Sequence, residues 1–310
     1  MGAGARRRAP APPGRDAAEL AAIDPAPLLR LGVRYAPLPA VRARLWSLSA
    51  ERATRPRSFV VRTRYGFRFA GDQRLIMPRC VYWFGHWEPL LSRWLHATLR
   101  TGDVVVDVGA NTGWYTLLAA TAVGPSGRVV AIEPAASTRV ALERNLARNR
   151  AANVRTVASA VGAEEGSVPF FRGENDAESS TVQRRGLAPD GEVPTAPLPH
   201  LLTPEEAARV ALVKIDVEGG EADVLRGMVQ DAAWMPARLR IVVEVHVHHL
   251  VRAGVAPADL LAPFRELGFT ATWLPVAFDE ASHMHPPTDA TSRQPPFPEG
   301  ELFHLILARG

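Results

Sequence analysis

Cysteine is nearly missing from this sequence of 310 residues, in which Cys80 is the only one. A single cysteine excludes an intrachain disulfide and a cysteine-based zinc site, and it fits a reducing compartment, so we expect a cytoplasmic protein. Long apolar runs are missing as well. No stretch of 18 apolar residues is free of a charge or a glycine, so we expect no transmembrane helix. Residues 1–15 are basic without an apolar segment, which argues against a secretory signal.

A large excess of one charge is also missing. The 36 lysine and arginine residues stand against 32 aspartate and glutamate residues, which leaves a net charge of +4. The basic residues form no long run and do not alternate with aromatic residues, so the pattern does not indicate a nucleic-acid partner. Lysine itself occurs once, as Lys214, while arginine supplies every other long cationic side chain.

The chain divides into an N-terminal extension and one larger domain. Residues 1–57 form the extension, and its first part, rich in arginine, alanine and proline, is predicted to be disordered. Residues 58–310 are predicted as the domain. Within it, 58–102 form an N-terminal hairpin and helix, because apolar and basic residues alternate around a Tyr65-Gly66 turn before a helical pattern. Residues 103–310 form the core.

Strand-like and helix-like segments alternate through the core. The predicted strands are 104–108, 128–132, 154–158, 211–216, 239–246, 269–274 and 302–308. The predicted helices begin near 114, 137, 221 and 257. This alternation indicates an α/β fold with a doubly wound, mostly parallel sheet of seven strands, whose last two strands form an antiparallel hairpin at its edge. The polar stretch 159–200 interrupts the alternation, and we expect a substrate lid with one short strand there.

The turn after the first core strand lacks one glycine of the dinucleotide-binding pattern. Asp107 stands in the strand, and Gly109, Asn111 and Gly113 follow, whereas G-x-G-x-x-G requires glycine at position 111. The two glycines are expected to let the backbone approach a ligand. An acid at 107 would repel a pyrophosphate but suits a ligand with an ammonium group and no phosphate, such as S-adenosylmethionine. The alternative is an NAD or nucleotide-sugar enzyme on a similar sheet.

Glu133 ends the second predicted core strand and is followed by Pro134. Since this strand is expected beside the first one, the carboxylate would lie near Asp107 and could accept both ribose hydroxyls of a nucleoside. The alternative interpretation is a helix cap that faces solvent.

Four charged residues crowd the end of the fourth predicted core strand. Lys214 and Asp216 are two residues apart and therefore share a face, and Glu218 and Glu221 bracket the glycine turn that follows. Such a group is costly to bury unless a ligand or mutual pairing offsets it. The alternative is an ion pair of Lys214 that only orders the turn.

The fifth strand also ends in polar residues, Glu244 and His246, which share a face. His246 titrates near neutrality and could act as a general base on a hydroxyl, or it could be a structural histidine. His246, His248 and His249 with Asp216 or Glu244 could also hold a divalent metal. We expect none, because no metal-ligand spacing supports it.

Together these segments resemble the FkbM-type S-adenosylmethionine-dependent methyltransferases, over about residues 58–310. The segments that carry the resemblance are Asp107–Thr116, Ile132–Pro134, Leu142–Asn149, Lys214–Glu221 and Val243–His246, with Gly85–Pro89 upstream. The resemblance implies a class I, Rossmann-like methyltransferase that modifies a hydroxyl on a sugar or secondary metabolite, so the acceptor would be a small molecule or a glycan.

The resemblance also implies roles for individual residues. Those expected to bind the cofactor are Asp107, Gly109, Asn111, Gly113 and Glu133. Those expected on the acceptor side, or in the scaffold that holds the acceptor, are Lys214, Asp216, Glu218, Glu221 and Glu244. Asp216 or His246 would be the general base, with Lys214 keeping Asp216 ionised. One segment departs from the family: Ala196–Leu201 replaces a Thr-Leu-Asp-like stretch, which removes an acid expected on the acceptor side. A nitrogen or carboxylate acceptor, and a non-catalytic binding protein, remain alternatives.

Overall fold

The structure is a computed structural model that describes residues 40–41, 44, 58–173, 180–182, 188–247, 257–276, 282–283, 291–296, 298 and 302–309. The extension 1–57 lies outside the described residues except at three positions, so its division from the domain stays a prediction. His248 and His249 lie outside them too. The described helices include none that is both long and apolar enough to cross a membrane.

Twelve strands are described. They are β1 (Ser58–Arg62), β2 (Arg68–Asp72), β3 (Val104–Val108), β4 (Arg128–Ile132), β5 (Val154–Val157), β6 (Ala160–Val161), β7 (Gly166–Pro169), β8 (Glu192–Ala196), β9 (Val210–Ile215), β10 (Arg240–His246), β11 (Phe269–Pro275) and β12 (Leu302–Arg309). The main α-helices are α1 (Ile76–Phe84), α2 (Pro89–Thr98), α3 (Trp114–Val123), α4 (Ala136–Asn149), α5 (Pro204–Arg209), α6 (Glu221–Gln230) and α7 (Pro257–Glu266).

The central sheet has seven strands in the order β11-β12-β10-β9-β3-β4-β5. Neighbours from β10 to β5 run parallel, and β12 runs antiparallel to both β10 and β11. The predicted α/β sheet and its final antiparallel pair are therefore confirmed. β12 is inserted between β10 and β11, so β11 forms the edge.

Both faces of this sheet are covered, as the run of buried valines in β3 predicts. Val105 packs in a cluster with α3, α4 and the N-terminal hairpin and helices, whereas Val104, Val106 and Val108 pack in a cluster with α6 and α7. The two faces alternate because successive side chains of a strand point in opposite directions. This alternation later decides where Asp107 points.

The predicted N-terminal hairpin is confirmed as β1 and β2. Two asparagines of α4 bind its edge: the Asn145 side chain pairs with the backbone of Ala70 at 2.9 and 3.1 Å, and Asn149 pairs with Arg68 at 2.7 Å. The aromatic residues Tyr82, Trp83 and Phe84 form the C-terminal end of α1. The hairpin and α1 thus reach the same edge of the sheet as the turn after β3.

The stretch 159–200 contains more structure than predicted. β6, β8 and β7 form a separate three-stranded sheet in that order, whereas only one short strand was expected. Helix α5 follows, and it starts with a capping box in which Thr203 and Glu206 satisfy each other's backbone N–H groups. Part of the predicted lid, 174–179 and 183–187, lies outside the described residues.

Candidate functional site at the carboxyl ends of the parallel strands

A cavity of about 500 Å³ lies at the carboxyl ends of the central parallel strands. The chain passes from β3 to β4 on one side and returns to β9 on the other, so this is the point where the strand order reverses and where α/β sheets bind ligands. Seven of the predicted site residues line the cavity: Gly109, Asn111, Glu133, Lys214, Asp216, Glu218 and Glu244. The other four, Asp107, Gly113, Glu221 and His246, lie behind its wall.

Glu133 is held in place on this wall by two backbone donors. The amide of Asn111 donates to Oε2 at 2.9 Å, and the amide of Ala135 donates to Oε1 at 3.0 Å. Burial raises the pKa of Glu133, and the two amide hydrogen bonds oppose that rise. Asn111 reaches this position with a φ of 49°, a left-handed conformation that asparagine tolerates better than most residues. The Glu133 carboxylate is therefore fixed at the cavity, where each of its oxygens accepts one hydrogen bond from the protein and can accept another.

The two glycines of the turn are needed for close contacts within the protein, and their predicted contact with a cofactor stays a prediction. A Cβ at Gly109 would stand 1.8 Å from the carbonyl oxygen of Asp216, so this glycine lets the turn after β3 touch the end of β9. A Cβ at Gly113 would stand 2.6 Å from Leu142 of α4. Both glycines also have positive φ angles, 77° and 96°. They set the shape of the cavity floor by close packing.

Asp107 lies one layer below the cavity, not at its rim as expected from the sequence. It shares the face of Val105, so α3 covers it, and Thr116 of that helix donates to Oδ2 at 2.6 Å. Oδ1 lies 4.0 Å from Nζ of Lys214. Burial raises the pKa of Asp107, although Lys214 opposes the rise. Asp107 therefore acts on the cavity through Lys214.

Lys214 is the cation at the centre of this edge. Its Nζ donates to Oδ2 of Asp216 at 2.8 Å and lies 4.6 Å from the ring centroid of Tyr115. Burial alone would lower the pKa of Lys214, but the carboxylates of Asp216 and Asp107 raise it above its usual value. The Asp216 side chain is 25% exposed and opens into the cavity. Burial and the nearby charge of Glu244 raise the pKa of Asp216, while Lys214 lowers it.

Glu244 stands between two histidines. Nε2 of His246 lies 3.1 Å from Oε1, and Nε2 of His304, directly opposite on β12, lies 3.6 Å from Oε2. Burial would raise the pKa of Glu244, yet these two histidines hold it well below its usual range. The same contact raises the pKa of His246 against the effect of burial. His246 thus reaches the cavity through Glu244, and the predicted role as a direct base is not supported by its position.

The remaining two acids belong to the turn after β9. Glu218 lines the cavity with a φ of 55°, and its carbonyl accepts a hydrogen bond from the Ser180 hydroxyl at 2.9 Å. Glu221 is buried, and its carboxylate accepts from the amide of Gly219 at 2.9 Å. Burial raises the pKa of Glu221. This hydrogen bond orders the glycine turn between β9 and α6.

Three residues of this edge were not predicted as site residues. Tyr115 lines the cavity, and its hydroxyl donates a hydrogen bond to Glu88. Glu88 in turn contacts Nε2 of His304 at 3.2 Å. The signal for His304 was a lone histidine inside the apolar run Leu302–Leu307, which was read only as a strand.

Known proteins are similar in sequence to the part of the chain that contains most of the cavity residues. The family model described as "Methyltransferase FkbM domain" matches residues 107–271. The chain is 33% identical over 202 residues to 31-O-demethyl-FK506 methyltransferase FkbM of Streptomyces tacrolimicus, covering 56% of this chain and 74% of that one. It is 27% identical over 218 residues to methyltransferase sdnD of Sordaria araneosa, covering 59% and 81%. It is 30% identical over 152 residues to methyltransferase 1 of Beauveria bassiana, covering 42% and 59%.

The matched region contains the carboxyl end of β3 and the whole of β4, β9 and β10, the strands whose carboxyl ends form the cavity. It excludes β12 and the segment before β3, which supply His304 and Glu88. On the extent of the family match and the likeness to its named relative, the chain belongs to the FkbM methyltransferase family.

Proposed function

We propose that this methyltransferase uses S-adenosylmethionine to methylate a hydroxyl group of a small molecule or glycan. The observation that carries the proposal is the Glu133 carboxylate, fixed on the cavity wall by the amides of Asn111 and Ala135. A carboxylate that ends the second parallel strand is placed to accept both hydroxyls of a ribose. The cavity volume falls in the range of sites that enclose small molecules. We also propose that the enzyme acts in the cytoplasm.

The charges of the cavity favour this cofactor over a dinucleotide. Four carboxylates line it, those of Glu133, Asp216, Glu218 and Glu244. Three cations line it as well: Lys214 is bound to Asp216, Arg74 is bound to Asp72, and the third is Arg79 of α1. A pyrophosphate would meet these carboxylates at close range, where like charges repel. A ligand with an ammonium and a sulfonium group and no phosphate would be attracted. Gly109, Asn111 and Glu133 would hold it at the turn after β3.

The cofactor test compares S-adenosylhomocysteine with NAD by titration calorimetry. We expect the wild-type chain to bind the first and not the second. Glu133→Gln should weaken S-adenosylhomocysteine binding by about 10- to 100-fold, since hydrogen bonds to charged groups contribute roughly 1.5–3 kcal/mol. Glu143→Gln, at an exposed position of α4, is the control and should change nothing. Tight NAD binding, or equal affinities for the variant and the wild type, would overturn the proposal.

The reaction requires three contributions from the chain's own residues: alignment of the acceptor oxygen, exclusion of water and removal of the hydroxyl proton. When bound, the cofactor supplies a methyl group on a sulfonium, which is a good leaving group. The cavity walls then align the acceptor oxygen and exclude water, and such alignment contributes about 7–11 kcal/mol in well-oriented reactions. Asp216 is placed to take the hydroxyl proton, because it opens into the cavity and its raised pKa suits a base near neutrality. Lys214 holds its carboxylate in position.

The base assignment is tested by single-turnover methylation, with cofactor binding measured separately. Asp216→Asn should lose about 10²- to 10⁴-fold in rate, the usual contribution of a general base, and still bind S-adenosylhomocysteine. His246→Gln should lose less, because His246 contacts Glu244 and not the cavity. If Asp216→Asn keeps the wild-type rate, Asp216 is not the base. If the wild-type chain transfers no methyl group to any acceptor in a hydroxyl panel, the non-catalytic alternative replaces this proposal.

The acceptor class follows from the same charges. A carboxylate acceptor would face Asp216, Glu218 and Glu244, so we do not propose one. A hydroxyl acceptor is supported by the name of one relative, 31-O-demethyl-FK506 methyltransferase FkbM. The acidic wall would also attract a protonated amine, which keeps a nitrogen acceptor as the second candidate. Matched alcohol and amine analogues of one scaffold, assayed with labelled cofactor, separate the two.

A further inference from the structure

Three buried side chains behind the cavity bring metal-ligating atoms together. Glu88 comes from the start of α2, Glu244 from β10 and His304 from β12, and the three are 4%, 7% and 1% exposed. One ligand atom from each lies within 4.8 Å of the other two. The cluster shares only Glu244 with the His246 arrangement considered above for a metal, and the sequence alone predicts no metal here. Glu244 also lines the cavity, so this cluster adjoins the proposed acceptor position.

Each carboxylate commits one oxygen elsewhere and directs the other toward His304. Oε2 of Glu88 accepts from the Tyr115 hydroxyl, and Oε1 faces Nε2 of His304. Oε1 of Glu244 contacts His246, and Oε2 faces the same Nε2. Outer partners of this kind are what orient carboxylate ligands in metal sites. The chain therefore presents two aligned oxygens and one imidazole nitrogen to a common point.

The contacts at this point are close but are not hydrogen bonds of good geometry. Oε1 of Glu88 lies 3.2 Å from Nε2, yet neither atom has a hydrogen-bond partner among the described residues. Oε2 of Glu244 lies 3.6 Å from the same Nε2. Two donors that bind one ion tetrahedrally at 2.0–2.2 Å are about 3.4 Å apart. The observed spacings of 3.2 and 3.6 Å lie on either side of that value.

From this arrangement we infer that Glu88, Glu244 and His304 bind one divalent first-row metal ion of the Zn²⁺ or Mn²⁺ type. Imidazole and carboxylate ligands together suit such ions, and the absence of a thiolate disfavours softer ones. Two carboxylates and a neutral imidazole balance the charge of the ion. Because Glu244 lines the cavity, the ion would stand where it can lower the pKa of an acceptor hydroxyl. That consequence rests on the proposed function, whereas the site itself does not.

The competing occupant of the same point is a proton. Without an ion, Glu88 and Glu244 raise the pKa of His304 to about 10 even though burial would lower it. The cluster would then be an imidazolium between two carboxylates, with a purely structural role. Direct metal binding separates the two arrangements.

The test uses the full chain without an affinity tag, freed of metal with a chelator. Zn²⁺, Mn²⁺ and Mg²⁺ are titrated separately by calorimetry, and we expect one Zn²⁺ or Mn²⁺ per chain with Mg²⁺ weaker. His304→Gln should weaken that binding by more than the roughly 10- to 100-fold loss typical of an outer partner. His200→Gln is the matched control, because His200 also contacts a carboxylate, Glu165 at 3.4 Å, but on the surface. It should bind as the wild type does.

If His304→Gln does not fold, Glu88→Gln takes its place, and anomalous diffraction from wild-type crystals soaked in Zn²⁺ locates the ion directly. A peak between the three side chains supports the inference. No bound ion, equal affinity in the variant, or a peak at Asp216 instead overturns it. If the metal site is absent, the wild-type chain should still bind S-adenosylhomocysteine. If the proposed function is wrong, that binding should be absent, so the two failures are distinguishable.

Discussion

The two edges of the central sheet handle buried acids in opposite ways. At the amino edge each acid has its own arginine. Glu206 accepts from Nε of Arg155 at 3.0 Å and from the amide of Thr203 at 2.9 Å, and Asp103 accepts from Arg238 at 3.0 Å. At the carboxyl edge Asp107 and Asp216 share the only lysine of the chain.

The pKa values follow this division. Hydrogen bonds from Arg155 and Thr203 hold the pKa of Glu206 below its usual value although burial opposes them. Burial raises the pKa of Asp107, Glu133 and Asp216, whose partners compensate only in part. Acids that are fully paired stabilise the fold, while a group of acids that shares too few cations is poised to receive a ligand. The amino edge therefore has the pairing expected of acids that stabilise the fold. The carboxyl edge has the incomplete pairing expected of a binding site.

The largest expected effect comes from removing the shared cation. Lys214→Met should lower the free energy of unfolding by about 3–5 kcal/mol at pH 8, since it leaves buried carboxylates without their partner. Their folded-state pKa values would then lie further above the unfolded values, so the penalty is present at high pH and shrinks as pH falls and they take up protons. Urea unfolding at pH 8 and pH 5 measures this.

The comparison for that variant is Arg238→Met at the amino edge. Arg238 is 57% exposed, so its pair with Asp103 is screened by solvent and should contribute less than about 1 kcal/mol. Equal losses for the two variants would show that the edges do not differ.

Next in size is the effect of a methyl group at the floor of the cavity. Gly109→Ala should cost about 2–4 kcal/mol in unfolding free energy and also weaken S-adenosylhomocysteine binding, because its Cβ would collide with the Asp216 backbone. Gly66→Ala isolates the backbone term, since Gly66 has a φ of 91° with no atom within 4 Å of the added Cβ. It should cost about 1–2 kcal/mol and leave binding intact. Thermal unfolding and calorimetry report the two quantities, and similar costs would rule out the collision.

The smallest effect concerns the amino edge. Glu206→Gln should lower the unfolding free energy by about 1–2 kcal/mol at pH 7, a value reduced for solvent screening because Arg155 is partly exposed. The folded pKa of Glu206 is depressed, so its stabilisation is present above the unfolded pKa of about 4.3 and is lost as pH falls through the folded value. The difference between variant and wild type should therefore shrink steadily as pH falls below about 4.3.

Glu205→Gln provides the neighbouring control in the same helix. Glu205 is 80% exposed and pairs with Arg209 one turn away, an interaction that contributes about 0.3–0.5 kcal/mol at most. A Glu206 difference that does not shrink as pH is lowered, or a Glu205 loss of the same size, would contradict the assignment.

Segments with a clear period were predictable, and irregular ones were not. The buried valine run of β3 and the strand–helix alternation after it indicated the sheet, because period and side-chain type are local properties. Helix α1 was missed because it is apolar on nearly every side and contains Pro78, which hides the helical period. β7 and β8 were missed in whole or part because they are short and carry Pro169 and Pro194, which discourage a strand assignment.

The sequence by itself determined that Glu133, Lys214, Asp216 and Glu244 meet at one edge, since the carboxyl ends of parallel strands must lie together. Only the tertiary structure decided which way each side chain faces and what it meets there. Asp107 lies under α3, and Gly109 allows the turn after β3 to contact the backbone of Asp216 at the end of β9. Glu88, Glu244 and His304 are far apart in the chain and become neighbours only because β12 is inserted beside β10 and α2 packs nearby. Local pattern encodes period and polarity, whereas such contacts depend on how distant elements pack.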